Sequence, residues 1–315
     1  MLERGVRVRL SSRPVTRPSL FPPPDLPEYA LVDSGAGEKL ERFGRVLLRR
    51  PDPQALWRPA LDADAWRRAD LVFVRESDRG GRWEPSARAS VDARRGEWTI
   101  AIEGGRFLVR PTPFKHVGVF PEQHDNWRLV ARSARAFGAE RPRLLNLFGY
   151  TGVASVLAAQ AGYDVTHVDA SRTSITWTRE NAAASGLAAD ALRVLVDDAL
   201  AFARREARRA SRYHVVLLDP PHYGRGPKGE TWQFEDQVAE LVATLRELLH
   251  ERALVVLSTY AIGCSPLTLE NLLGELGMGE LEAGELGLAG PDGARVLPAG
   301  FCARWSRGLR AGTPT

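Results

Sequence analysis

Leu144-Leu145-Asn146-Leu147-Phe148-Gly149-Tyr150-Thr151-Gly152-Val153-Ala154-Ser155 decides the reading of the chain. An apolar run leads into a glycine-containing turn, and a helix of small residues follows at once. That is the strand–turn–helix opening of a dinucleotide- or nucleoside-binding α/β domain. Gly149 and Gly152 carry no Cβ, so the turn can be tight and a ligand can lie against its backbone. Downstream, Val215-Val216-Leu217-Leu218 runs into Asp219-Pro220-Pro221-His222-Tyr223. In an open α/β sheet both strand ends meet at one crevice outside the carboxyl edge, which sets a nucleoside site beside a reaction site.

Working outward, the segment after Arg141 alternates. Strands are expected at 143–148, 163–168, 192–196, 213–218 and 253–259, with helices at 152–161, 171–185, 198–210 and 233–250 between them. Apolar runs such as Tyr163–Val168 suit strands covered on both faces, and β–α alternation implies a parallel, doubly wound sheet. One more helix follows Pro266, then a final hairpin ending near Trp305 on one edge of the sheet. Before Arg141 the texture differs. Phe43–Arg49, Leu71–Val74, Glu97–Ile102 and Arg106–Arg110 are short runs bounded by Gly, Pro or charge. Glu103-Gly104-Gly105 reads as a hairpin turn. They imply a small, mostly antiparallel β-rich N-terminal domain in which Trp57, Trp66, Trp83 and Trp98 serve packing. Residues 111–127 read as an irregular connector, with Asn126 or Asp125 capping a helix that runs to about Ala139. The expected division is a Pro/Arg-rich tail (1–27) partly ordered on its own domain or a partner, a β-rich domain with its connector (28–125), and the α/β domain (126–310).

Composition narrows the class. The chain has 315 residues, 44% of them hydrophobic and 26% charged, as in ordinary soluble proteins. No apolar run approaches the roughly 18 residues of a membrane span. Arg4, Arg7 and Arg9 interrupt the apolar start, so no signal-peptide core is visible and a cytoplasmic location is expected. Cys264 and Cys302 make neither a disulfide framework nor a zinc cluster, and His116, His124 and His222 lack metal spacing, so no metal is expected. The net charge is +4, with arginine dominant among the basic residues. Arginine suits phosphate and base recognition, although +4 on this length is modest.

Three strand ends beyond the glycine turn carry the chemistry. Asp169 follows the glycine turn by about 20 positions, where a carboxylate can accept from both hydroxyls of a ribose, and it can also cap the next helix. Asp197 and Asp198 close the third strand. Asp198 is favoured for an adenine amino group, with Asp197 solvated and one of the two capping the helix at Ala199. At the fourth strand, Pro220 and Pro221 fix a stiff turn whose carbonyls can accept from a planar amine or base edge. Asp219 can orient a nucleophile or take its proton, and Tyr223 can stack on the acceptor plane. The basic loop Gly224–Glu230 would lie at the mouth of the crevice.

Taken together, Asn146–Gly152, Val168-Asp169-Ala170-Ser171, Glu180–Leu187, Asp197-Asp198-Ala199 and Asp219–Gly226 resemble the class I S-adenosylmethionine-dependent methyltransferases. The closest likeness is to the RlmI/RlmK-like large-subunit ribosomal RNA methyltransferases. The connector His116–Gln123 resembles that family's TGFFLDQ element, and the resemblance covers about 95–305. It implies a seven-stranded Rossmann-like sheet with the last strand antiparallel, S-adenosyl-L-methionine as cofactor, and an RNA substrate. It also implies a cofactor site of Phe120, Gln123, Asn146, Phe148, Gly149, Tyr150, Thr151, Gly152, Asp169, Ala170, Ser171, Asn181, Asp197, Asp198 and Asp219. Within it the Phe148–Gly152 turn would wrap the methionine part. Asp219, Pro220, Pro221 and Tyr223 would border the methyl acceptor.

Relatives that methylate cytosine C5 place a cysteine just after the fifth strand. Here the sequence reads Leu257-Ser258-Thr259-Tyr260, with Cys264 a few residues later. A covalent route to cytosine C5 would need the turn to bring Cys264 near, and a route without a covalent step needs only an acceptor attacking in line. Alternative readings are a methyltransferase for a protein or small molecule, a nicotinamide-dependent oxidoreductase, and a binding module without turnover. The turn lacks the full G-x-G-x-x-G spacing, which counts against the nicotinamide reading. A monomer and a homodimer are both compatible with the sequence.

Overall fold

A computed structural model describes residues 19–77, 80–260, 263–291, 293 and 295–309. The first strand, β1 (Ser19–Leu20), stands apart from those that follow it. β2 (Tyr29–Gly35), β3 (Glu38–Phe43), β4 (Val46–Pro51), β5 (Leu71–Ser77) and β6 (Gly80–Pro85) form a five-stranded sheet in sequence order. It is antiparallel except where β4 meets β5. The run read as one strand at Phe43–Arg49 is instead the corner of a hairpin. Phe43 pairs with Val46 across Gly44-Arg45, so the turn residues interrupt the apolar stretch. Short helices α1 (Ala63–Trp66) and α2 (Val91–Arg95) flank β5 and β6. The four tryptophans pack as expected, and each indole N–H donates within the lobe: Trp57 to Ser34 O, Trp66 to Asp33 Oδ2, Trp83 to Thr112 O, and Trp98 to Phe43 O.

β7 (Trp98–Ile102) and β8 (Gly105–Val109) make a separate hairpin about the expected turn. A 3₁₀ turn at Pro121–Gln123 then leads into α3 (His124–Ser133). Neither Asp125 nor Asn126 caps α3. Both lie inside it, and Arg304 holds their side chains, donating from Nε to Asn126 Oδ1 at 2.8 Å and pairing with Asp125 at 2.7 Å.

The main domain follows the predicted alternation: β9 (Arg143–Leu147), α4 (Val153–Gln160), β10 (Asp164–Asp169), α5 (Arg172–Ala184), β11 (Leu192–Val196), α6 (Ala199–Arg208) and β12 (Tyr213–Leu218). A small hairpin, β13 (Tyr223–Arg225) and β14 (Thr231–Gln233), precedes α7 (Phe234–Leu245), β15 (Leu249–Thr259), α8 (Pro266–Gly274), β16 (Glu280–Ala289) and β17 (Val296–Arg307). The sheet order is β1-β16-β17-β15-β12-β9-β10-β11. Five neighbouring strands, β15 to β11, are parallel, and β17 is antiparallel to both its neighbours.

The seven expected strands are all present, and β1 adds an eighth. It comes from the Pro/Arg-rich tail and pairs with β16 at Gly284 and Glu285. A Cβ on Gly284 would sit 1.9 Å from Ser19 O, so the close approach depends on glycine. This pairing covers the edge of β16. Phe21 and Leu26 continue the tail into the core, and residues 1–18 lie outside the described residues.

Successive side chains along a strand point to opposite faces. Leu144, Val215, Leu217, Leu254 and Val256 enter one core, while Leu145, Leu147, Val216, Leu218, Val255 and Leu257 enter the other. Both faces are covered, which is why these strands read as continuous apolar runs. The first core also contains Phe43, Val46, Ile100 and Phe107, so the N-terminal strands share it with one face of the main sheet. Strand order reverses between β9 and β12, and a crevice opens at their carboxyl ends there.

Candidate active site at the carboxyl ends of β9 and β12

Backbone conformation shapes the turn after β9. Phe148, Tyr150 and Gly152 have φ of +57°, +50° and +81°. Two of the three are bulky residues in a region that L side chains adopt at a cost. Hydrogen bonds hold the turn: Gly149 N donates to Val168 O at 3.1 Å, Gly152 N to Gly149 O at 3.0 Å, and Thr178 Oγ1 to Tyr150 O at 2.9 Å. The glycines serve the protein side of the turn. A Cβ on Gly149 would lie 2.3 Å from His167 Cε1, and one on Gly152 would lie 2.4 Å from Thr178 Cγ2. His167 is fully buried between Ser155 Oγ (2.9 Å) and Thr178 Oγ1 (3.2 Å), and burial presses its pKa down to about 3. The imidazole is therefore a neutral packing element under the turn.

The crevice has a volume of about 590 Å³ including its open mouth. Gly118, Phe120, Gln123, Asn126, Trp127, Asn146, Phe148, Gly149, Tyr150, Thr151, Val153, Ala154, Leu217, Leu218, Asp219, Val256 and Ser258 line it. Eight expected residues thus come together: Phe120, Gln123, Asn146, Phe148, Gly149, Tyr150, Thr151 and Asp219. Gly152 sits just beneath as the first residue of the helix cap.

Asp169 stands behind the turn. Its Oδ2 accepts from Tyr150 N and its Oδ1 from Ser171 N, both at 2.8 Å, and burial raises its pKa. It does not cap α5. Ser171 does, accepting from Ser174 N at 3.2 Å, and Ala170 is the partly buried residue between them. Asp198 caps α6, accepting from Ala201 N at 2.8 Å. Asp197 is not solvated as expected, because Arg205 pairs with its carboxylate. Asn181 faces inward, donating to Thr151 O at 2.8 Å and accepting from Leu108 N at 2.9 Å. It ties the β7–β8 hairpin to the glycine turn.

At β12 the geometry differs from the expectation in one respect. The Pro221 carbonyl already accepts from the Trp232 indole at 2.8 Å, and that indole packs against Phe148 with ring centroids 4.7 Å apart. Pro220 is buried, and Tyr223 is half exposed on β13, outside the lining set. His222 faces Glu235 at 3.2 Å.

Asp219 is fixed from two sides. Ser258 Oγ donates to its Oδ1 at 2.9 Å, and Gln123 Nε2 approaches its Oδ2 at 3.5 Å. Gln123 Nε2 also donates to Ser258 Oγ at 2.9 Å and its Oε1 accepts from Asn126 Nδ2 at 2.7 Å. Burial pushes the Asp219 carboxyl up to about 6. Sequence reasoning missed Ser258 and Asn126 as site residues, taking Asn126 only as a candidate helix cap. Ser258 occupies the carboxyl end of a parallel strand next to β12, a position that could have found it. Asn126 is one helical step from Gln123, but its register on Gln123 and Arg304 depends on packing between distant segments.

Neither cysteine is a thiolate. Burial raises the Cys264 pKa, with Glu235 adding to it, and burial takes Cys302 up to about 11. Among the described residues no cluster of His, Cys, Asp and Glu could hold a metal, and no helix is long and apolar enough to cross a membrane.

The crevice suits a bulky cation joined to a nucleoside. A carboxylate at one end and the rings of Phe120, Tyr150 and Phe148 along the walls favour a sulfonium electrostatically.

A family model described as Conserved hypothetical protein 95 matches residues 128–272. A ribosomal RNA large subunit methyltransferase K/L from Shewanella frigidimarina (strain NCIMB 400) is 29% identical over 170 residues, 53% of this chain and 23% of that relative. The chain thus spans about a quarter of the length of this curated relative. A SAM-dependent methyltransferase crystal structure from Agrobacterium tumefaciens is 40% identical, covering 92% of this chain and 93% of that one, with a TM-score of 0.85. A methyltransferase structure from Streptococcus mutans shares the fold at 17% identity, with a TM-score of 0.66 over 89% of this chain and 75% of that one.

Proposed function

The chain belongs to the S-adenosylmethionine-dependent methyltransferases, and from that premise we propose that it methylates a base in RNA, with ribosomal RNA as the favoured substrate. The observation that carries the RNA reading is the alignment of more than half the chain with a ribosomal RNA methyltransferase. A sequence pI of about 9.3 supports it. Residues 126–310 serve as the catalytic unit and 28–125 as the β-rich unit beside it.

When bound, the cofactor supplies an electrophilic methyl group on sulfur. The chain's own residues do the rest. The Phe148–Gly152 turn, Phe120 and Tyr150 enclose the cofactor and exclude water. Asp169 retains free lone pairs for ribose hydroxyls after accepting its two backbone bonds. Asp198 offers its second carboxylate oxygen to the adenine amino group while Oδ1 caps α6. Ser258 and Gln123 hold Asp219 in one orientation, and its carboxylate, ionised at neutral pH, accepts a hydrogen bond from the acceptor and later its proton. Catalysis of this kind rests on proximity and orientation. If the target base lies in a duplex it must be swung out to reach the crevice.

The test is transfer of tritiated methyl from the cofactor to ribosomal RNA, total protein and small metabolites prepared from cells lacking the gene. Label in a base of the RNA is expected. Label confined to protein or to metabolites would overturn the RNA reading.

A further inference from the structure

Beyond the crevice stands a large aromatic side chain that the cofactor site does not use. Tyr260 follows the last residue of β15 directly and is 46% exposed. It lies two residues after Ser258, the group that fixes Asp219. Its ring centroid is 6.0 Å from that of Phe120, which is 5.6 Å from that of Tyr150. The three rings form a wall running from the cofactor turn to the outside.

Tyr260 is also held in place. Its hydroxyl donates to the Glu122 carboxylate, and Glu122 is buried in the same 3₁₀ turn that carries Gln123. Its ring packs on β17, where Cδ1 and Cε1 would lie 3.3 Å from a Cβ on Gly300. A side chain immobilised at its tip and along its edge, yet nearly half open to water, has given up rotamer freedom without gaining full burial. A second planar ring laid on it would complete the burial.

We propose that Tyr260 is the stacking platform for the methyl acceptor, a nucleobase ring, and that Glu122 is a positioning residue that fixes the platform beside Asp219. The assignment rests on the reading of the protein as an RNA base methyltransferase. Because the hydroxyl is taken up by Glu122, Tyr260 acts through its ring face and not as a proton donor.

The experiment compares wild type, Tyr260→Leu, Tyr260→Phe, Glu122→Ala and Glu122→Gln in steady-state methylation of ribosomal RNA, with S-adenosylhomocysteine affinity measured on each. Stacking of a base on an aromatic side chain predicts a loss of about 5- to 150-fold in kcat/KM for RNA in Tyr260→Leu. Cofactor affinity is expected to stay within about twofold of wild type, and Tyr260→Phe, which keeps the ring but gives up the hydrogen bond to Glu122, should raise KM for RNA as Glu122→Ala does. Glu122→Ala should raise KM for RNA and leave kcat unchanged, and Glu122→Gln, which still accepts the hydroxyl, should restore KM. Unchanged kcat/KM in Tyr260→Leu, or a parallel loss of cofactor affinity, would overturn the assignment while leaving the RNA reading intact. A wild-type protein that labels no RNA would overturn both.

Discussion

Asp219 joins chemistry to stability at a single residue. Its carboxyl has a pKa of about 6 in the folded protein against an ordinary value of 3.8. Between those values the folded state holds a proton that the unfolded chain has released. The stability this group contributes is therefore complete below about pH 4 and is lost as the pH rises through 6. Asp219→Asn removes that dependence. Relative to wild type, the variant should gain up to about 3 kcal/mol between about pH 4 and pH 7, while methyl transfer falls by about a hundredfold or more. Urea unfolding at the two pH values checks the first part, and a stability difference that does not change with pH would contradict it. Gly149 makes a purely steric prediction. Gly149→Ala sets a methyl group against His167 and should cost about 2 kcal/mol. A cost below about 0.5 kcal/mol would mean the buried imidazole moves easily.

At the scale of elements, the turn after β9 and the start of α6 show what could be read in advance. Apolar runs marked β9, β10 and β12 almost to the residue because both faces of those strands are buried, and β11 at the edge of the sheet was legible although only Leu192 of it is buried. Glycines marked the turn, but the reason for them was hidden: they make room for His167 and Thr178, side chains from β10 and α5 that no local pattern places there. The polar set Gln123, Asn126 and Ser258 was only partly legible for the same reason, since its members come from three elements joined by tertiary packing. Asp198 separates two roles within one element. Asp198→Ser keeps the helix cap and withdraws the longer carboxylate. Stability should stay within about 0.5 kcal/mol, while S-adenosylhomocysteine affinity falls by about tenfold or more. Equal affinity in calorimetric titration would leave Asp198 as a cap alone.

For the molecule as a whole, the N-terminal sheet is bound to the catalytic domain by more than chain connectivity. Residues of both share one core. Within the β-rich unit, Arg50 donates to Lys115 O in the connector at 3.1 Å while pairing with Glu41 at 2.6 Å. Glu41 also accepts from Tyr29 at 2.8 Å, and Arg50 holds its pKa down at about 2 against the cost of burial. Glu41→Gln would leave a buried guanidinium without its counter-charge and should cost about 3–5 kcal/mol. With a shared core, the loss should shift one unfolding transition seen equally by circular dichroism and tryptophan fluorescence. Two separated transitions would contradict a shared core. Neither the shared core nor the pairing of Ser19 with Gly284 could be read from the chain, because each joins residues far apart in sequence.

The location of the cofactor is the claim on which the rest stands, and titration calorimetry with S-adenosylhomocysteine tests it most directly. Wild type should bind one equivalent. Asp169→Ala should bind about tenfold or more weakly, and Tyr223→Ala, on the outer hairpin, should bind as wild type does. No binding by wild type, or equal binding by Asp169→Ala, would contradict a cofactor held at the junction of β9, β10 and β12.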